Sequence, residues 1–455
     1  MKILIVGGGG REHALADALS RENTAIELIA SPGNPGIADL ARIAPVSASD
    51  LPALVALAEH EQVKLVVVGP EAPLAGGLVD LLRLRGIPAF GPTMGAATVE
   101  TSKADTKAMM MAAGIPTALA ETHRDSTTAK EAVKARFGAP VVIKASGLAA
   151  GKGVIVCHTI DEAYAAIDRI LDDKAFGEAG NECLVETFMT GEELSLFAIA
   201  DGTDVLPMLG AQDHKRLLDG DDGPNTGGMG AYTPVSFSTP ALIDDVTERI
   251  FLPTLHALRK RGTPFTGLLY AGLMLTPEGP KVVEFNCRFG DPETQAILPM
   301  LTSSLLEPML TVARGARLKH VTPFTWRHGA SVTTVVAARG YPDAPETGAA
   351  IDLPSFSDAI RVYHAGTTRD ADGVLRTSGG RVVAVTATAD TFADAQRLSR
   401  DGASRVGFEG ATYRRDIGWR EAERRAAALT IEVGASETAA HAHETSRRDA
   451  DAGAS

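Results

Sequence analysis

Residues 1–14 of the chain are MKILIVGGGGREHA, a short apolar run that ends in four glycines and continues into a helix-forming stretch. The residues that follow alternate between strand-forming and helix-forming segments. The predicted elements are a strand (2–6), a helix (11–20), a strand (26–30), a helix (50–60) and a strand (63–68). Strands that alternate with helices are typical of a doubly wound unit, so we expect an α/β domain over about the first 100 residues.

The rest of the chain continues the α/β pattern and then becomes rich in β-strand. A long loop outside the core is predicted over 210–232, where Gly and Asp are frequent. After Pro323 the strands predominate, which indicates a separate C-terminal domain. The other predicted elements are helices at 102–113, 161–171, 292–310 and 391–405, and strands at 140–144, 153–157, 183–187, 193–200, 267–275, 281–286, 331–338, 360–364 and 381–388.

Composition excludes several classes of protein. The 455 residues include 44 Lys and Arg against 57 Asp and Glu, a net charge of −13, and there is no long basic run to bind nucleic acid. The three cysteines are scattered, which argues against a disulfide framework or a structural zinc site. The first apolar run is too short for a secretion signal, and no stretch approaches the roughly 18 apolar residues that span a membrane. We expect a cytoplasmic protein that acts on small molecules.

The four glycines at 7–10 lie between the first strand and the first helix. Glycine lets backbone N–H groups approach an anion, and a helix N-terminus favours negative charge. A dinucleotide fingerprint needs Gly or Ala at its last position, where this chain has Glu12 or His13 depending on the register. The pattern favours a phosphate-bearing small molecule over a dinucleotide, and a purely structural turn is the alternative.

A second glycine-rich stretch, VVIKASGLAAGKGV, covers 141–154. Its spacing is one residue short of a P-loop, and Gly153 stands where a P-loop has Ser or Thr. Lys144 ends a predicted strand, so this arrangement fits a fixed cation beneath a mobile lid over a triphosphate. A plain hairpin loop with a solvated Lys152 is the alternative.

Two later stretches carry polar side chains in notable patterns. The block 212–230 combines glycines with acids, bases and an Asn, which suits a loop that folds over a ligand, although a solvated surface loop is the alternative. In 282–293, strand alternation puts Glu284 and Asn286 on one face with Arg288 in phase. Carboxylate and amide oxygens suit a hard cation, and a guanidinium suits a carboxylate or phosphate. A structural Glu–Arg pair is the alternative.

Taken together, these stretches resemble the ATP-grasp superfamily and, within it, the phosphoribosylamine–glycine ligase family. The resemblance runs from residue 1 to about 425, and the block 212–232 distinguishes this family from other ATP-grasp enzymes. Two positions depart from the family pattern, since Ser146 replaces an Asp and Thr101 replaces a Gly. The strand 268–275 also lacks the acidic metal ligand that many ATP-grasp enzymes carry. The matching segments are 7–14, 69–74, 90–92, 144–154, 212–232, 269–274 and 284–293.

The resemblance implies an ATP-grasp fold with a doubly wound, Rossmann-like N-terminal domain and a β-rich C-terminal domain. The expected boundaries are 1–103 for the N-terminal domain, 104–320 for the ATP-grasp domain with a mobile lid at about 115–192, 321–428 for the C-terminal α+β domain and 429–455 for a disordered tail.

The resemblance also implies an activity, namely ATP-dependent ligation of glycine to 5-phosphoribosylamine through glycyl phosphate, in purine biosynthesis. The implied enzyme is a monomer that needs Mg²⁺ or Mn²⁺, bound by Glu284 and Asn286. The residues implied to bind ATP are Lys107, Lys144, Gly147, Gly151, Gly153, Glu186, Phe188 and Glu193. Those implied to bind the other substrates are Gly9, Gly10, Glu71, Asp213, Lys215, Asn225 and Arg288. Three of these residues are implied to be catalytic: Arg288, Lys144 and Asp213.

Two other functions stay open at this point. One is another ATP-grasp carboxylate–amine ligase or carboxylase, which a screen of ADP release with glycine, bicarbonate or D-alanine would separate. The other is a nucleotide-regulated binding protein that has lost turnover. The presence of Lys144, Glu284, Asn286 and Arg288 argues against such a loss.

The end of the chain carries a prediction of its own. From residue 431 onward there is no Phe, Trp or Tyr and there are few large apolar side chains, so burial cannot compensate the entropy of ordering this segment. We predict that truncation after Val433 leaves activity and melting temperature nearly unchanged. Thermal denaturation of the truncated chain measures this, and a melting temperature lower by more than a few degrees would show that the tail packs on the body.

Overall fold

The N-terminal part of the chain is built on an all-parallel sheet. The computed structural model describes residues 1–22, 25–148 and 153–428. The first elements are β1 (Lys2–Gly7), α1 (Gly10–Ser20), β2 (Glu27–Pro32), β3 (Arg42–Ile43), α2 (Leu51–His60), β4 (Leu65–Val68), α3 (Glu71–Ala75), α4 (Leu78–Leu84) and β5 (Ala89–Phe90). The strands pair in the order β3-β2-β1-β4-β5, which confirms the predicted doubly wound α/β unit.

The centre of this sheet has a topological switch point. β1 and β4 are neighbours, and the chain leaves them toward opposite edges of the sheet, to β2 and to β5. In open parallel sheets, ligands bind in the crevice at the carboxyl ends of such strands. The glycines 7–10 follow β1, and Glu71 follows β4, so the topology brings both predicted substrate segments to this crevice.

The next part of the chain forms a small antiparallel sheet. Its elements, with the two helices that lead to it, are α5 (Met94–Thr101), α6 (Lys103–Ala112), β6 (Ala120–His123), α7 (Ser126–Ala132), β7 (Val141–Ala145), β8 (Val154–Cys157), α8 (Ile160–Leu171) and β9 (Cys183–Thr187). The strand order is β6-β9-β7-β8. Ile143, Ile167 and Val185 contribute to a hydrophobic core between this sheet and α7 and α8, distinct from the larger cores of the molecule.

A second antiparallel sheet, of four strands in the order β11-β10-β16-β17, carries the metal-binding candidates on its edge strand β17. Its long central pair β10 and β16 is in register from Glu192–Leu275 to Asp201–Thr266. The elements of this part are β10 (Glu192–Asp201), β11 (Val205–Pro207), β12 (Gln212–Asp213), β13 (Arg216–Leu218), β14 (Asp222–Asn225), β15 (Gly230–Thr233), α9 (Pro240–Val246), α10 (Leu252–Lys260), β16 (Thr266–Thr276), β17 (Gly279–Asn286), α11 (Glu293–Ile297) and α12 (Leu306–Ala313).

The C-terminal part is rich in β-strand, as predicted. Its elements are β18 (Ala330–Ala337), β19 (Ile360–His364), β20 (Thr367–Arg369), β21 (Leu375–Thr377), β22 (Arg381–Ala389) and α13 (Phe392–Ala403). The main sheet has the order β12-β15-β18-β22-β19, so two of its strands come from the segment before residue 234. Residues 419–428 are again helical, and the predicted disordered tail at 429–455 lies outside the described residues.

The prediction of a long loop at 210–232 is wrong. The segment contains β12 and β15, which join the C-terminal sheet, and the hairpin β13–β14 between them. Ala231 and Tyr232 are fully buried, and Ala231 lies opposite Thr333 of β18. Its backbone hydrogen bonds are therefore satisfied by a strand about 100 residues further along the chain, which the local sequence does not reveal.

The prediction of one helix at 292–310 is also wrong, since α11 and α12 are separate helices. The chain turns through a 3₁₀ segment that contains Pro299 and becomes extended at Leu301. The N–H of Thr302 donates to the carbonyl of Thr325 at 2.9 Å, which replaces the helical bond. Of the helices in the described ranges, none is long and apolar enough to cross a bilayer.

Candidate active site

Two lysines converge on one buried carboxylate. Lys107 Nζ is 3.1 Å from Oε1 of Glu186, and Lys144 Nζ is 2.8 Å from Oε2. All three residues are at most 4% exposed. Burial alone would raise the pKa of Glu186, but Lys144 and Lys107 hold it below its usual value. The cluster has two cations for one anion, and such a buried surplus of positive charge favours an anionic ligand.

Strand register explains how these groups meet. Val142 of β7 lies opposite Glu186 of β9, so Lys144 and Glu186 are near-diagonal neighbours on one face of the small sheet. Lys144 Nζ also donates to the carbonyl of Val283 at 3.0 Å. Lys107 donates at 2.7 Å to the hydroxyl of Thr117, which in turn donates to the β17 strand. Both lysines are thereby tied to β17.

Glu284 and Asn286 project from the same face of β17, the strand whose Val283 carbonyl accepts from Lys144. Glu284 lies opposite Gly272 of β16, where a Cβ would come within 3.4 Å of Cγ of Glu284. Glu284 lines a narrow cavity together with Glu193, Lys215 and other residues of β10 and β16.

Glu284 and Asn286 offer two oxygen ligands to a divalent cation. Among the described residues, no group of three or more His, Cys, Asp and Glu could hold a metal ion. Mg²⁺ is commonly held by one or two protein oxygens together with substrate phosphates, and it keeps several waters. Glu284 and Asn286, placed next to a cluster suited to phosphates, fit that mode of binding.

Arg288 makes more contacts with other side chains than the sequence suggests. Its Nη2 is 3.1 Å from Oε1 of Glu100 and 3.4 Å from the amide oxygen of Asn286, and its Nε is 3.4 Å from Oε2 of Glu71. Burial works to lower its pKa, but the two carboxylates raise it well above the usual value. Arg288 is thus a permanent cation that links α3, α5 and β17.

Glu100 was missed by sequence reasoning. Its second oxygen accepts the backbone N–H of Cys287 at 2.7 Å, so this one carboxylate orients both the strand end and the Arg288 guanidinium. The residue is 7% exposed. The only signal in the sequence is its place in the segment Glu100–Lys103, which matches the family apart from Thr101.

Lys103 was also missed. Its Nζ donates to the carbonyl of Gly147 at 2.9 Å, at the start of the glycine loop. Burial lowers the pKa of Lys103, and the carboxylate of Glu284 partly offsets this. Ser146, which replaces the family's Asp, accepts the N–H of Ala104 at 3.2 Å, so an acceptor still lies at the start of α6.

Asp213, Lys215 and Glu193 form one charged group. Lys215 pairs with Glu193 and lies 3.7 Å from Oδ1 of Asp213. Burial raises the pKa of Asp213 to about 7 against the opposing effect of Lys215, with Glu293 adding to the rise. Burial alone would lower the pKa of Lys215, but Asp213 and Glu193 hold it well above its usual value. Glu193, predicted for ATP, therefore contacts Lys215, which is predicted for the other substrate.

The glycine loop after β1 is partly occupied by its own helix. The N–H of Gly9 donates to Oε2 of Glu12 at 2.6 Å, and Glu12 Oε1 is 2.5 Å from Nε of Arg11. A Cβ on Gly10 would lie 2.7 Å from Nε2 of Gln295, so a side chain there would displace that amide. The Gly9 N–H is thus already bonded to the Glu12 carboxylate. An anionic ligand at this loop would accept hydrogen bonds from other donors.

The remaining predicted residues lie at the borders of the site. Phe188 follows β9 and is 39% exposed, with its ring 6.4 Å from that of His158. Gly147 packs so closely on the 3₁₀ segment Gly177–Asn181 that a Cβ would lie 2.8 Å from Cα of Ala179. The Gly153 carbonyl accepts the N–H of Ala145 at 2.8 Å. Gly151 lies outside the described residues.

Asn225 is the last residue of β14 and lies opposite Arg216 in the hairpin β13–β14. Of the residues predicted to bind ATP, the structure brings Lys107, Lys144 and Glu186 together beside β17, the strand that carries Glu284 and Asn286. The predicted residues Gly9, Gly10 and Glu71 gather at the neighbouring crevice of the parallel sheet, and Arg288 spans the two.

Sequence models of a single family match three consecutive parts of the chain. They are the phosphoribosylglycinamide synthetase N domain at 1–100, its ATP-grasp (A) domain at 101–294 and its C domain at 331–420. Relatives named phosphoribosylamine–glycine ligase from Ralstonia nicotianae and Caulobacter vibrioides are 48% and 47% identical to the chain. Each alignment covers 93% of this chain and 100% and 99% of the respective relative.

Solved structures agree with this match. The crystal structure of phosphoribosylamine–glycine ligase from Thermotoga maritima has a TM-score of 0.81 and 35% identity, covering 92% of this chain and 100% of that chain. The biotin carboxylase domain of Hydrogenobacter thermophilus 2-oxoglutarate carboxylase, solved with MgADP, ADP and bicarbonate, has a TM-score of 0.68 at 20% identity, covering 90% of this chain and 91% of that chain. The second likeness is one of fold.

The fold is that of an ATP-grasp enzyme, with N, A and C domains in the predicted order. More narrowly, the chain belongs to the phosphoribosylglycinamide synthetase family, which confirms the family predicted from its sequence.

Proposed function

We propose that this protein ligates glycine to 5-phosphoribosylamine with ATP, giving glycinamide ribonucleotide, ADP and phosphate, in purine biosynthesis. Membership of the family over all three domains supports the activity. The observation that carries the chemistry is the buried cationic cluster of Lys107, Lys144 and Glu186. Lys144 ties it to β17, the strand that carries the two oxygen ligands.

The reaction has two steps. In the first, a carboxylate oxygen of glycine attacks the γ-phosphorus of ATP. The bond between the γ-phosphorus and the oxygen that bridges it to the β-phosphate breaks, ADP departs, and glycyl phosphate is formed. The amine nitrogen of phosphoribosylamine then attacks the glycyl carbonyl carbon, which forms the amide, expels phosphate and releases one proton. Neither step needs a protein nucleophile, so the protein acts by positioning the reactants and stabilising charge.

The phosphate end of ATP is assigned to the lysine cluster. Lys107 and Lys144 hold the phosphates, and the surplus positive charge of their cluster offsets phosphate charge as the carboxylate approaches. Glu284 and Asn286 would hold Mg²⁺ or Mn²⁺, which when bound supplies further charge neutralisation at the phosphates. The other residues assigned to ATP are Gly147, Gly151, Gly153, Glu186, Phe188 and Glu193.

The acceptor substrates are assigned to the crevice next to β17. Arg288 binds the glycine carboxylate, because glycine offers only a carboxylate and an amine for recognition. The residues assigned to phosphoribosylamine are Gly9, Gly10, Glu71, Asp213, Lys215 and Asn225. Closure of the glycine loop 147–153 over the site would exclude water, which would otherwise hydrolyse the acyl phosphate.

We propose further that the enzyme works as a monomer in the cytoplasm and needs no macromolecular partner. The acidic charge balance of −13 argues against nucleic acid. Sedimentation at working concentration measures the oligomeric state, and a dimer would contradict this part of the proposal.

The activity is tested by a product assay in which glycine, phosphoribosylamine and ATP are each omitted in turn. Glycinamide ribonucleotide should form only when all three are present. ADP release with bicarbonate or D-alanine in place of glycine would favour another ATP-grasp enzyme. Failure to form product at any metal concentration would contradict the proposal.

Arg288→Lys should not behave as a conservative substitution. An ammonium keeps the charge but cannot contact Glu71, Glu100 and a glycine carboxylate with the geometry of a guanidinium. We expect the KM for glycine to rise about tenfold or more, the effect of losing one charge-assisted hydrogen bond, with little change in the KM for ATP. Steady-state kinetics measure both constants, with Arg249→Lys on an exposed helix as the matched control. If instead the KM for ATP rose and the KM for glycine stayed unchanged, Arg288 would be assigned to the phosphates.

A further inference from the structure

The hairpin β13–β14 and the turn after it, residues 226–228, are held at their base by the C-terminal domain. Arg381, the first residue of β22, donates through Nη1 to the carbonyls of Gly227 and Asp291, both at 2.7 Å. Its Nη2 is 3.3 Å from Oδ2 of Asp291. One guanidinium therefore fastens the turn after Asn225 to the segment that follows β17.

Asp291 extends this connection to the first glycine loop. Its Oδ1 accepts from Nε2 of Gln295 at 2.6 Å, and a Cβ on Gly9 would lie 3.6 Å from its Oδ2. The turn itself packs without a gap, since a Cβ on Gly228 would lie 2.5 Å from Cδ of Pro292. The contacts of Arg381 thus join the turn 226–228, the segment at Asp291 and the crevice where Gly9 lies.

The tip of the same hairpin has an independent attachment. The Arg414 side chain is fully buried and is 2.8 Å from Oδ1 of both Asp221 and Asp416, while it donates to the carbonyl of Arg216 at 3.2 Å. The N–H of Gly220 donates to Oδ2 of Asp416 at 2.7 Å. Buried charges persist only when paired in this way, so the tip is fixed to the segment 414–416.

We infer that the C-terminal domain is a rigid support that positions Asp213, Lys215 and Asn225 for phosphoribosylamine, with Arg381 as the positioning residue at the base of the hairpin. The inference rests on the proposed function. It follows that the hairpin is a fixed wall of the site, and that the C-terminal domain contributes to the binding of one substrate without contacting it.

The test compares Arg381→Gln and Arg381→Lys with the unmodified full-length chain, with Mg²⁺, ATP, glycine and phosphoribosylamine supplied. We expect Arg381→Gln to raise the KM for phosphoribosylamine about tenfold or more, because three contacts to the turn and to Asp291 are lost. The KM values for ATP and glycine should change less than about twofold. Arg381→Lys, which keeps the charge next to Asp291, should give an intermediate KM for phosphoribosylamine.

Arg376→Gln is the matched control. Arg376 lies in the same domain, 2.5 Å from Oδ2 of Asp370 and 3.0 Å from the carbonyl of Gly348, and these contacts do not involve the hairpin. Its KM values should equal those of the unmodified chain. Hydrogen exchange of residues 213–228 provides a second readout, with faster exchange expected in both Arg381 variants and not in the control.

The outcomes separate the inference from the proposed function. An unmodified chain without ligase activity contradicts the proposed function, whereas an active chain whose Arg381 variants keep the KM for phosphoribosylamine overturns the inference. A uniform rise of all three KM values together with a lower melting temperature also overturns it, since that result describes a merely structural arginine. If Arg381→Gln fails to fold, the KM values and the melting temperature of Arg381→Lys decide between these outcomes.

Discussion

Glu284→Ala should lower turnover about a thousandfold or more while the protein stays folded. Glu284 supplies the only carboxylate on β16 and β17. It lies opposite Gly272 and faces the cavity, so its removal costs no core packing. Without it, Asn286 alone would remain to hold the metal that neutralises the phosphates, and several kcal/mol of charge stabilisation would be lost.

The measurement is kcat at saturating ATP, glycine and phosphoribosylamine over a range of Mg²⁺ concentrations. Glu278→Ala is the matched control, because Glu278 is an exposed carboxylate in the turn between the same two strands. Glu284→Gln keeps the shape of the side chain and removes its charge, so its kcat should fall nearly as far as that of the alanine variant. Turnover above about a tenth of the unmodified enzyme at saturating Mg²⁺ would contradict the metal assignment.

Local patterns explain what could be predicted from the sequence. The alternation in 282–288 has a period of two, and the structure places Glu284 and Asn286 on one face of β17 for that reason. The parallel strands β1 and β4 were found because continuous apolar runs bounded by glycines need no information from elsewhere in the chain. Of the two lysines, Lys144 was indicated by its place at the end of a predicted strand, whereas Lys107 carries no local signal and came only from the resemblance.

Contacts between distant segments could not be predicted in this way. Glu100 acts on the end of β17, yet it precedes Cys287 by 187 positions, and no pattern within α5 indicates this partner. The segment 210–232 has the composition of a loop, but pairing with β18 supplies the hydrogen bonds and burial that make β12 and β15 strands. Tertiary pairing overrides local propensity in such cases.

The wrong prediction of a single helix over 292–310 could have been corrected from the local sequence. Pro299 lies inside the predicted helix 292–310, and proline in a helix interior removes a hydrogen bond and clashes with the preceding turn. The structure ends helical geometry at Leu301, two residues after that proline. The break places Glu293 and Gln295 on the short helix α11, where Gln295 reaches Asp291 and the crevice of the first glycine loop.

Lys144→Met should reduce kcat/KM for ATP on the order of a hundredfold, the effect of removing one charge-assisted contact to the phosphates in a buried site. The methionine preserves most of the volume, and Glu186 keeps Lys107 as a partner at 3.1 Å. The cluster then has one cation for one anion, so the surplus positive charge that favours a phosphate is gone. Lys130→Met, which removes an ion pair to Asp168 on α8 of the same small sheet domain, is the matched control.

The melting temperature separates this electrostatic explanation from a packing defect. Because Glu186 stays paired in Lys144→Met, the melting temperature should fall by only a few degrees. In Glu186→Gln, by contrast, both buried lysines lose their counterion, and removing one partner of a buried pair typically costs about 3–5 kcal/mol. Glu186→Gln should therefore be the less stable variant, although the methionine variant loses the cation that binds ATP. If Lys144→Met melted lower than Glu186→Gln, or if it kept the ATP kinetics of the Lys130 control, Lys144 would be a structural residue and not a phosphate ligand.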